Sequence, residues 1–407
     1  MAFKQSRIVE LTKIISNNLP QPSFDVEGPG SLSLSSEMQD TREEVLNANL
    51  ELQELLLGPK EVIADYQYNY FIAVQAVCQY GIASTFPVDG EKTFVDIAKA
   101  CGLHEQQVRR IVRFAASHRI FKEVRKGVIV HTAFSKLLAE DTQFRDYCQI
   151  GGEDMWPSAS KTVPAMLKWP GSEESNQSGF ALAHDTDDSV YMYLSKHPEK
   201  AKRFASAMTV SLSGEGYDSK YVTEFGPWAS IKENGTVVDI GGSNGDIMIA
   251  IAKAFPSLRF VVQDLQSQVN IAPAVPQEVA GRISMQAYDF FSPQPVHGAD
   301  VYFFRWVFHN WADKYCLRIL ENLIPALAPN ARVVLNEWCL PEPNSSANRW
   351  ERRLRGMDLA MMTLQNSRER DRDDWIALFS QASKRFHLVG IQCPTGSQLS
   401  IIEFEWR

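Results

Sequence analysis

Residues 237–246 read VVDIGGSNGD, and the fold turns on that stretch. The β-branched run TVVDI (236–240) leads into Gly241, Gly242 and Gly245, and the apolar run IMIAIAKAF (247–255) has helical character. Glycines let a backbone turn sharply and approach a ligand at a helix N-terminus, where unpaired amides gather. Ser243 occupies the second glycine position of a strict G-x-G-x-x-G, so the loop alone indicates only a nucleotide-like ligand. The next strand, LRFVVQ (258–263), ends on Asp264. A carboxylate at roughly that spacing can accept both hydroxyls of a ribose, although Asp264 alone would read as a helix N-cap. Strand, glycine loop, helix, strand and acid together point to an adenosyl-type ligand.

The same pattern continues outward. ISMQA (283–287), DVYFF (300–304) and ARVVLNE (331–337) are further short β-rich runs, several with helical stretches between them. That alternation predicts an α/β, Rossmann-like sheet of parallel strands. RFHLVGIQCP (385–394) and SQLSIIEFEW (397–406) are separated only by a tight turn, so they must pair antiparallel. Five parallel strands finished by an antiparallel hairpin differ from the six-parallel-strand dinucleotide fold.

Upstream, TFVDIAKACGL (93–103) and HEQQVRRIVRFAASHRI (104–120) read as two helices. FKEVRKGVIVHT (121–132) reads as a hairpin turning at Lys126-Gly127, completing a winged-helix module. Arg109, Arg110, Arg113 and Arg119 would suit DNA on the second helix, but the wing is not strongly basic. Apolar helical patterns over Thr41–Leu57, stopped by Gly58-Pro59, and over Asp65–Ile82 suggest packing on a partner chain. Residues 20–40, rich in Pro, Gly and Ser, read as a linker or mobile loop. Residues 146–225 look helical and aromatic-rich, suiting either a core or an apolar pocket wall.

The chain has 407 residues, enough at roughly 100–200 per domain for two or three domains. With 44% hydrophobic and 22% charged residues, collagen-like, coiled-coil and wholly disordered readings fall away. A net charge of −8 argues against a surface that grips nucleic acid or anionic lipid. No apolar run reaches the roughly 18 residues of a membrane span, and the N-terminus does not resemble a signal peptide. The six cysteines are scattered without a C-x-x-C pair, as in a reducing, cytoplasmic setting. The histidines are dispersed and no H-E-x-x-H occurs, so no metal is expected.

Three further motifs carry chemistry. AYDFF (287–291) places Asp289 and Phe290 beyond the third strand, where an acid and an aromatic would suit an adenine; a solvated loop would read the same. FFRWVFHNWADKYC (303–316) sets His309 among aromatics after the fourth strand. Two acids can orient it: Glu337, ending the fifth strand, and Glu369, in a charge run that would otherwise read as a solvated helix start. A histidine with an orienting acid is the minimum for deprotonating a phenol.

Taken together, VVDIGGSNGD, FVVQDL, FFRWVFHNWADKYC, VVLNEWCLPEP and GMDLAMMTLQNSRER resemble the S-adenosylmethionine-dependent O-methyltransferases of the caffeate and flavonoid class, in their fungal secondary-metabolite form. The resemblance covers nearly the whole chain. It implies N-terminal helices and a linker over 1–60, a winged-helix dimerisation domain over 61–145, a helical substrate-pocket segment over 146–225 and a methyltransferase domain over 226–407. It implies cofactor contacts at Asp239, Gly241, Gly242, Gly245, Asp264, Leu265, Asp289, Phe290 and Arg305. His309 matches the catalytic histidine, with Glu337 and Glu369 at its acidic partner positions, and Met208, Met361 and Asn366 match acceptor-pocket positions. Ser243, Asp246 and Asp371 depart from the family pattern. The family also includes pericyclases acting on polyketide-derived intermediates, and His131 and Arg305 match their catalytic positions. The sequence therefore predicts a homodimeric enzyme methylating a hydroxyl, phenolic by expectation, of an aromatic or polyketide-like metabolite, with the pericyclase and a DNA-binding regulator as alternatives.

Overall fold

The computed structural model describes residues 2–18, 36–65, 68–343 and 345–407. The chain divides into two compact units. The first comprises Met1–Pro157, Leu194–Leu212 and Ala347–Trp350; the second comprises Ser158–Tyr193, Ser213–Ser346 and Glu351–Arg407.

In the first unit the helix Ala2–Asn18 pairs with Ser36–Ile63, and Arg7 grips Glu51 through Nε at 2.9 Å and Nη2 at 2.7 Å. The expected stop at Gly58-Pro59 is present as a break: Gly58 is non-helical, with φ +76°, and a second short helical stretch runs on from it to Ile63. The expected linker begins outside the described residues, but its last part, Ser36–Asp40, is helical. The next helix spans Tyr68–Gln79, shorter than the apolar pattern suggested. Phe94–Cys101 is capped by the Thr93 hydroxyl and ended by Gly102 at φ +67°, a left-handed C-terminal position that glycine takes without Cβ strain. Glu105–Ser117 follows, its N-terminus capped by His104. β2 (Phe121–Arg125) and β3 (Val128–His131) form the hairpin, and the unforeseen β1 (Glu91–Thr93) pairs with β3. Ile97, Val108, Val112 and Ile129 are fully buried between these elements. Arg119 lies past the helix rather than on it, while Arg109 and Arg113 are held by Glu105 and Glu123.

The second unit is built on a seven-stranded sheet. Its strands are β4 (Thr236–Ile240), β5 (Arg259–Asp264), β6 (Ile283–Ala287), β7 (Val301–Arg305) and β8 (Arg332–Glu337), joined later by β11 (Phe386–Gln392) and β12 (Ser400–Trp406). Between them in sequence come β9 (Cys339–Leu340) and β10 (Arg370–Asp371), which pair only with each other. The sheet order is β11-β12-β8-β7-β4-β5-β6. β4 to β8 are mutually parallel, and β12 and β11 add antiparallel at one edge.

The sequence explains why the centre is parallel. Val301–Phe304 and Val333–Leu335 are continuous apolar runs without exposed surface, as strands covered on both faces require. From β4 the chain winds outward through β5 and β6, then returns to place β7 on β4's other side. Such a switch point opens a crevice at the carboxyl ends of the two strands, where open α/β sheets bind ligands.

Candidate functional site

On the β4 side of that crevice, Gly241, Ser243 and Gly245 all have positive φ (+76°, +50° and +77°). Ser243 is therefore a serine in the left-handed conformation that makes glycine usual there, which costs it strain. A Cβ on Gly242 would lie 2.4 Å from Asp239 Oδ2, and one on Gly241 would lie 2.9 Å from Val307 Cγ2. The helix Asp246–Ala254 starts directly from this loop. Asp264 accepts the Ser243 amide at 2.9 Å and the Leu265 amide at 2.7 Å, one on each oxygen, leaving lone pairs on both. Leu265 is half exposed. Asp289 is exposed and accepts the Phe291 amide, while Phe290 packs edge-on against Phe291 and Trp311.

Asp239 is almost completely buried, and burial pushes its carboxyl up to about 7, against the pull of Arg305 and with the push of Asp264. Burial likewise lowers Arg305, offset by Asp239 and Glu337. Arg305 Nη1 donates to Asn336 Oδ1 at 2.6 Å and Nη2 to the Tyr217 carbonyl at 2.7 Å.

An adenosyl ligand can be tested against this set. The glycine loop has no room for side chains against the strand ends, three acids stand at the ends of successive strands, and a buried cation sits at the fourth. Hydroxyl, amine and ammonium donors all find carboxylate acceptors here, so the residues fit such a ligand.

Beyond β7 the chain turns through Trp306, at φ +56°, into the short 3₁₀ turn Phe308–Asn310. His309 Nδ1 lies 3.1 Å from Glu369 Oε1. Glu369 is 2% exposed, so it is not a solvated helix start; the helix begins later, at Arg372, capped by Asp371. Glu337 acts differently from expectation. Its Oε1 accepts the Val307 and Phe308 amides, both at 2.8 Å, so it grips the backbone of the turn rather than hydrogen-bonding the imidazole. Burial pushes Glu337 up to about 7 despite the pull of His309. Burial alone would lower His309, but the Glu369 hydrogen bond and both carboxylates outweigh it and hold the imidazole above its usual value. Glu337 Oε2 and Glu369 Oε2 are buried without a hydrogen-bond partner among the described residues, an unusual cost that a positive charge on His309 would offset.

The sequence reading missed the polar chain beside His309. Gln365 Nε2 donates to Asn310 Oδ1 at 2.8 Å and reaches Met361 Sδ at 4.0 Å, while Asn310 Nδ2 donates to the Trp306 carbonyl. Asn310 was legible only as the neighbour of the histidine. Met361 is buried close to this chain. Asn366 gives both amide hydrogens to the Glu174 and Gln177 carbonyls, so only its oxygen remains for an acceptor. Met208 and His131 belong to the first unit. His131 is 8% exposed, with its ring 4.1 Å from that of Phe86 and Nδ1 3.0 Å from Ser135 Oγ, the setting of a core histidine. No group of metal-ligating side chains occurs among the described residues.

Comparisons with known proteins show the family to which the chain belongs. The family described as O-methyltransferase domain matches residues 167–385. The grayanic acid biosynthesis cluster O-methyltransferase of Cladonia grayi is 42% identical over 396 residues, covering 96% of this chain and 83% of that protein. The chlorophenol O-methyltransferase of Trichoderma longibrachiatum is 37% identical over 401 residues, covering 96% and 86%. Among solved structures, OxaC in complex with SAH and oxaline superposes with a TM-score of 0.77 at 22% identity, covering 100% of this chain and 99% of that one. LepI in complex with SAM gives 0.72 at 21% identity, covering both chains fully. At those identities the structural likeness concerns the fold.

Proposed function

The chain belongs to the S-adenosylmethionine-dependent O-methyltransferases of fungal secondary metabolism, and from that premise we propose that it methylates a phenolic hydroxyl of an aromatic or polyketide-like metabolite, with His309 as general base. The observation that carries this reading is the His309 Nδ1–Glu369 contact. It fixes the tautomer that bears its proton on Nδ1 and leaves Nε2 free to accept.

When bound, S-adenosylmethionine supplies a methyl group on a positively charged sulfur that departs as a neutral thioether. The chain's residues do the rest. Asp264, Asp289 and Phe290 hold the adenosyl end, with Leu265 beside them, and Asp239 and the loop Gly241–Gly245 receive the remainder. Arg305, tied to Asn336 and Tyr217, keeps a fixed positive charge beside Asp239. Met361 and Asn366 shape the acceptor pocket. His309 takes the hydroxyl proton on Nε2 as the oxygen–methyl bond forms, and Glu369 and Glu337 stabilise the imidazolium. Positioning and one proton transfer are the protein's contribution.

The first unit, read as a winged helix, forms the homodimer interface. Exposed Leu56, Ile63, Tyr68, Phe71 and Ile72 on its helices support that reading, and the paired Arg109 and Arg113 disfavour nucleic acid. Light scattering showing a monomer at micromolar concentration would contradict the dimer. No described helix is long and apolar enough to cross a membrane.

The test is methyl transfer from labelled S-adenosylmethionine to a panel of phenols, a chlorophenol included, with product mass read for one added methylene. His309→Gln should slow turnover by about 10²–10⁴-fold while cofactor affinity stays unchanged. Undiminished methylation by that variant removes the mechanism. A pericyclase would instead yield no methylated product and lose turnover with His131→Ala or Arg305→Ala.

A further inference from the structure

The geometry points to Arg370 as a positioning residue for His309: its guanidinium, anchored by Asp313, holds the backbone carbonyls on either side of the histidine and so aims the imidazole. This rests on the reading of His309 as the base. Arg370 has no exposed side-chain surface. Its Nη1 donates to the Phe308 carbonyl at 3.1 Å and its Nη2 to the Trp311 carbonyl at 2.9 Å. Nε and Nη2 both reach Asp313 Oδ1, at 3.0 and 2.7 Å, and Nη2 also meets Cys316 Sγ at 3.3 Å. The guanidinium lies over the Trp375 ring, 5.2 Å from its centroid.

Glu369 and Arg370 are consecutive, and together they grip one turn from two directions. Glu369 holds the His309 side chain and Arg370 holds the main chain beneath it. Their strand is itself fixed, because Arg370 and Asp371 pair with Cys339 and Leu340, just beyond Glu337. Glu337 in turn takes the amides of Val307 and Phe308. A carboxylate thus satisfies the turn's donors and a guanidinium its acceptors. The planar fork serves two carbonyls and a carboxylate from separate nitrogens held in fixed geometry, whereas an ammonium would have to reach all three from one nitrogen on a flexible stem. A misplacement of about 1 Å at a reacting group can cost on the order of 10²-fold in rate.

Arg370 also enters the imidazole's electrostatic balance. His309 is faced by Glu337 from β8, by Glu369, and by Arg370 from β10. Behind these stand Asp358, which accepts the Glu369 amide at 2.9 Å, and Asp313, shared by Arg370 and Arg368. The carboxylates raise the imidazole's proton affinity and Arg370 lowers it. A merely structural ion pair would support the fold without setting either the aim or the titration of His309.

The experiment uses the full chain with S-adenosylmethionine and the phenol from the panel that turns over fastest. Arg370→Lys keeps the charge and loses the fork. It should lower kcat by about 10–100-fold, with cofactor affinity and the His309 titration nearly unchanged. Arg370→Met also removes the charge, and NMR titration of the imidazole should then show its pKa moved upward. The double variant His309→Gln/Arg370→Lys should be no slower than His309→Gln alone, because the arginine acts through the histidine. Asp313→Asn, at a position one-third exposed, should give a smaller fall in kcat in the same direction and serves should the Arg370 variants not fold. Wild-type kcat in both Arg370→Lys and Asp313→Asn, losses that multiply in the double variant, or a drop in cofactor affinity matching the drop in rate would each overturn the assignment. Those outcomes are separable from failure of the base: undiminished turnover by His309→Gln overturns the histidine's role, whereas a slow His309→Gln beside a fully active Arg370→Lys overturns only that of Arg370.

Discussion

The loops after β4 and β7 leave two paired strands side by side, and both contain left-handed residues: Gly241, Ser243 and Gly245 in one, Trp306 in the other. They are held in different ways. The first is held mostly by backbone: Gly241 and Gly242 amides donate to the Gln263 carbonyl of the adjacent strand and Gly245 donates to Gly242, with the Asp264 carboxylate taking the Ser243 amide. The second closes two local turns, from Asn310 to Val307 and from Trp311 to Phe308, but its other backbone groups depend on Glu337 and Arg370. A loop that binds by its backbone can be specified by glycines alone. A loop that must aim one imidazole needs side chains from distant strands to fix it.

The comparison can be broken from either side, beginning with the largest effects after that of His309. Asp264→Ala should lose a charge-assisted hydrogen bond of about 1.5–3 kcal/mol, weakening S-adenosylmethionine by roughly 10–150-fold in calorimetric titration. Unchanged affinity in a folded variant would remove the ribose assignment. Gly242→Ala forces a methyl group against the Asp239 carboxyl, an overpacking cost of about 1–3 kcal/mol. Cofactor affinity should fall by roughly 10–100-fold; if kcat falls instead with affinity intact, the division of labour between the two loops is wrong.

Glu337→Gln sharpens the second loop. The amide oxygen can still accept both backbone amides, so the turn should hold, while kcat should fall by about tenfold as the imidazolium loses a carboxylate. The same variant has a pH signature. Glu337 and Asp239 are raised from 4.5 and 3.8 to about 7, so the folded protein binds their protons more tightly than the unfolded chain does. Stability should therefore fall as pH rises from those ordinary values through about 7. His309 adds the same sign, because the stabilisation of its raised pKa is fully present below the usual imidazole value and is lost as pH rises past its folded value. Thermal midpoints measured from pH 5 to 8 should decline in the wild type and decline less in Glu337→Gln. The smallest effect is Ser243→Gly, which relieves a left-handed serine. Relief of Cβ strain and the added freedom of the unfolded chain oppose each other, so the midpoint should move by only a few degrees, upward if the strain term wins.

The sheet and the glycine loop were legible in the chain because their physics is local. Apolar runs without alternation mark strands buried on both faces, and the interval from the glycines to Asp264 is one βαβ unit, so pattern and spacing carried the order of elements as far as the closing hairpin. The break at Gly58-Pro59 was legible for the same reason, since a glycine at positive φ followed by a proline ends a helix from local geometry alone. Glu369 illustrates the wider limit. In sequence it is one acid in RERDRDD, indistinguishable from a solvated helix start, and only pairing of β10 with β9 buries it against His309. Glu337 was expected to orient the imidazole, but whether it would hold imidazole or backbone depended on ångström-scale register. Arg370 lies in the same charge run, and only the fold buries it. Sequence by itself determined the strands, the glycine loop and which residue types stand at the strand ends, because those follow from neighbours along the chain. Tertiary structure decided which charges are buried and what they grip, because desolvation and hydrogen-bond geometry depend on residues 29 to 62 positions away.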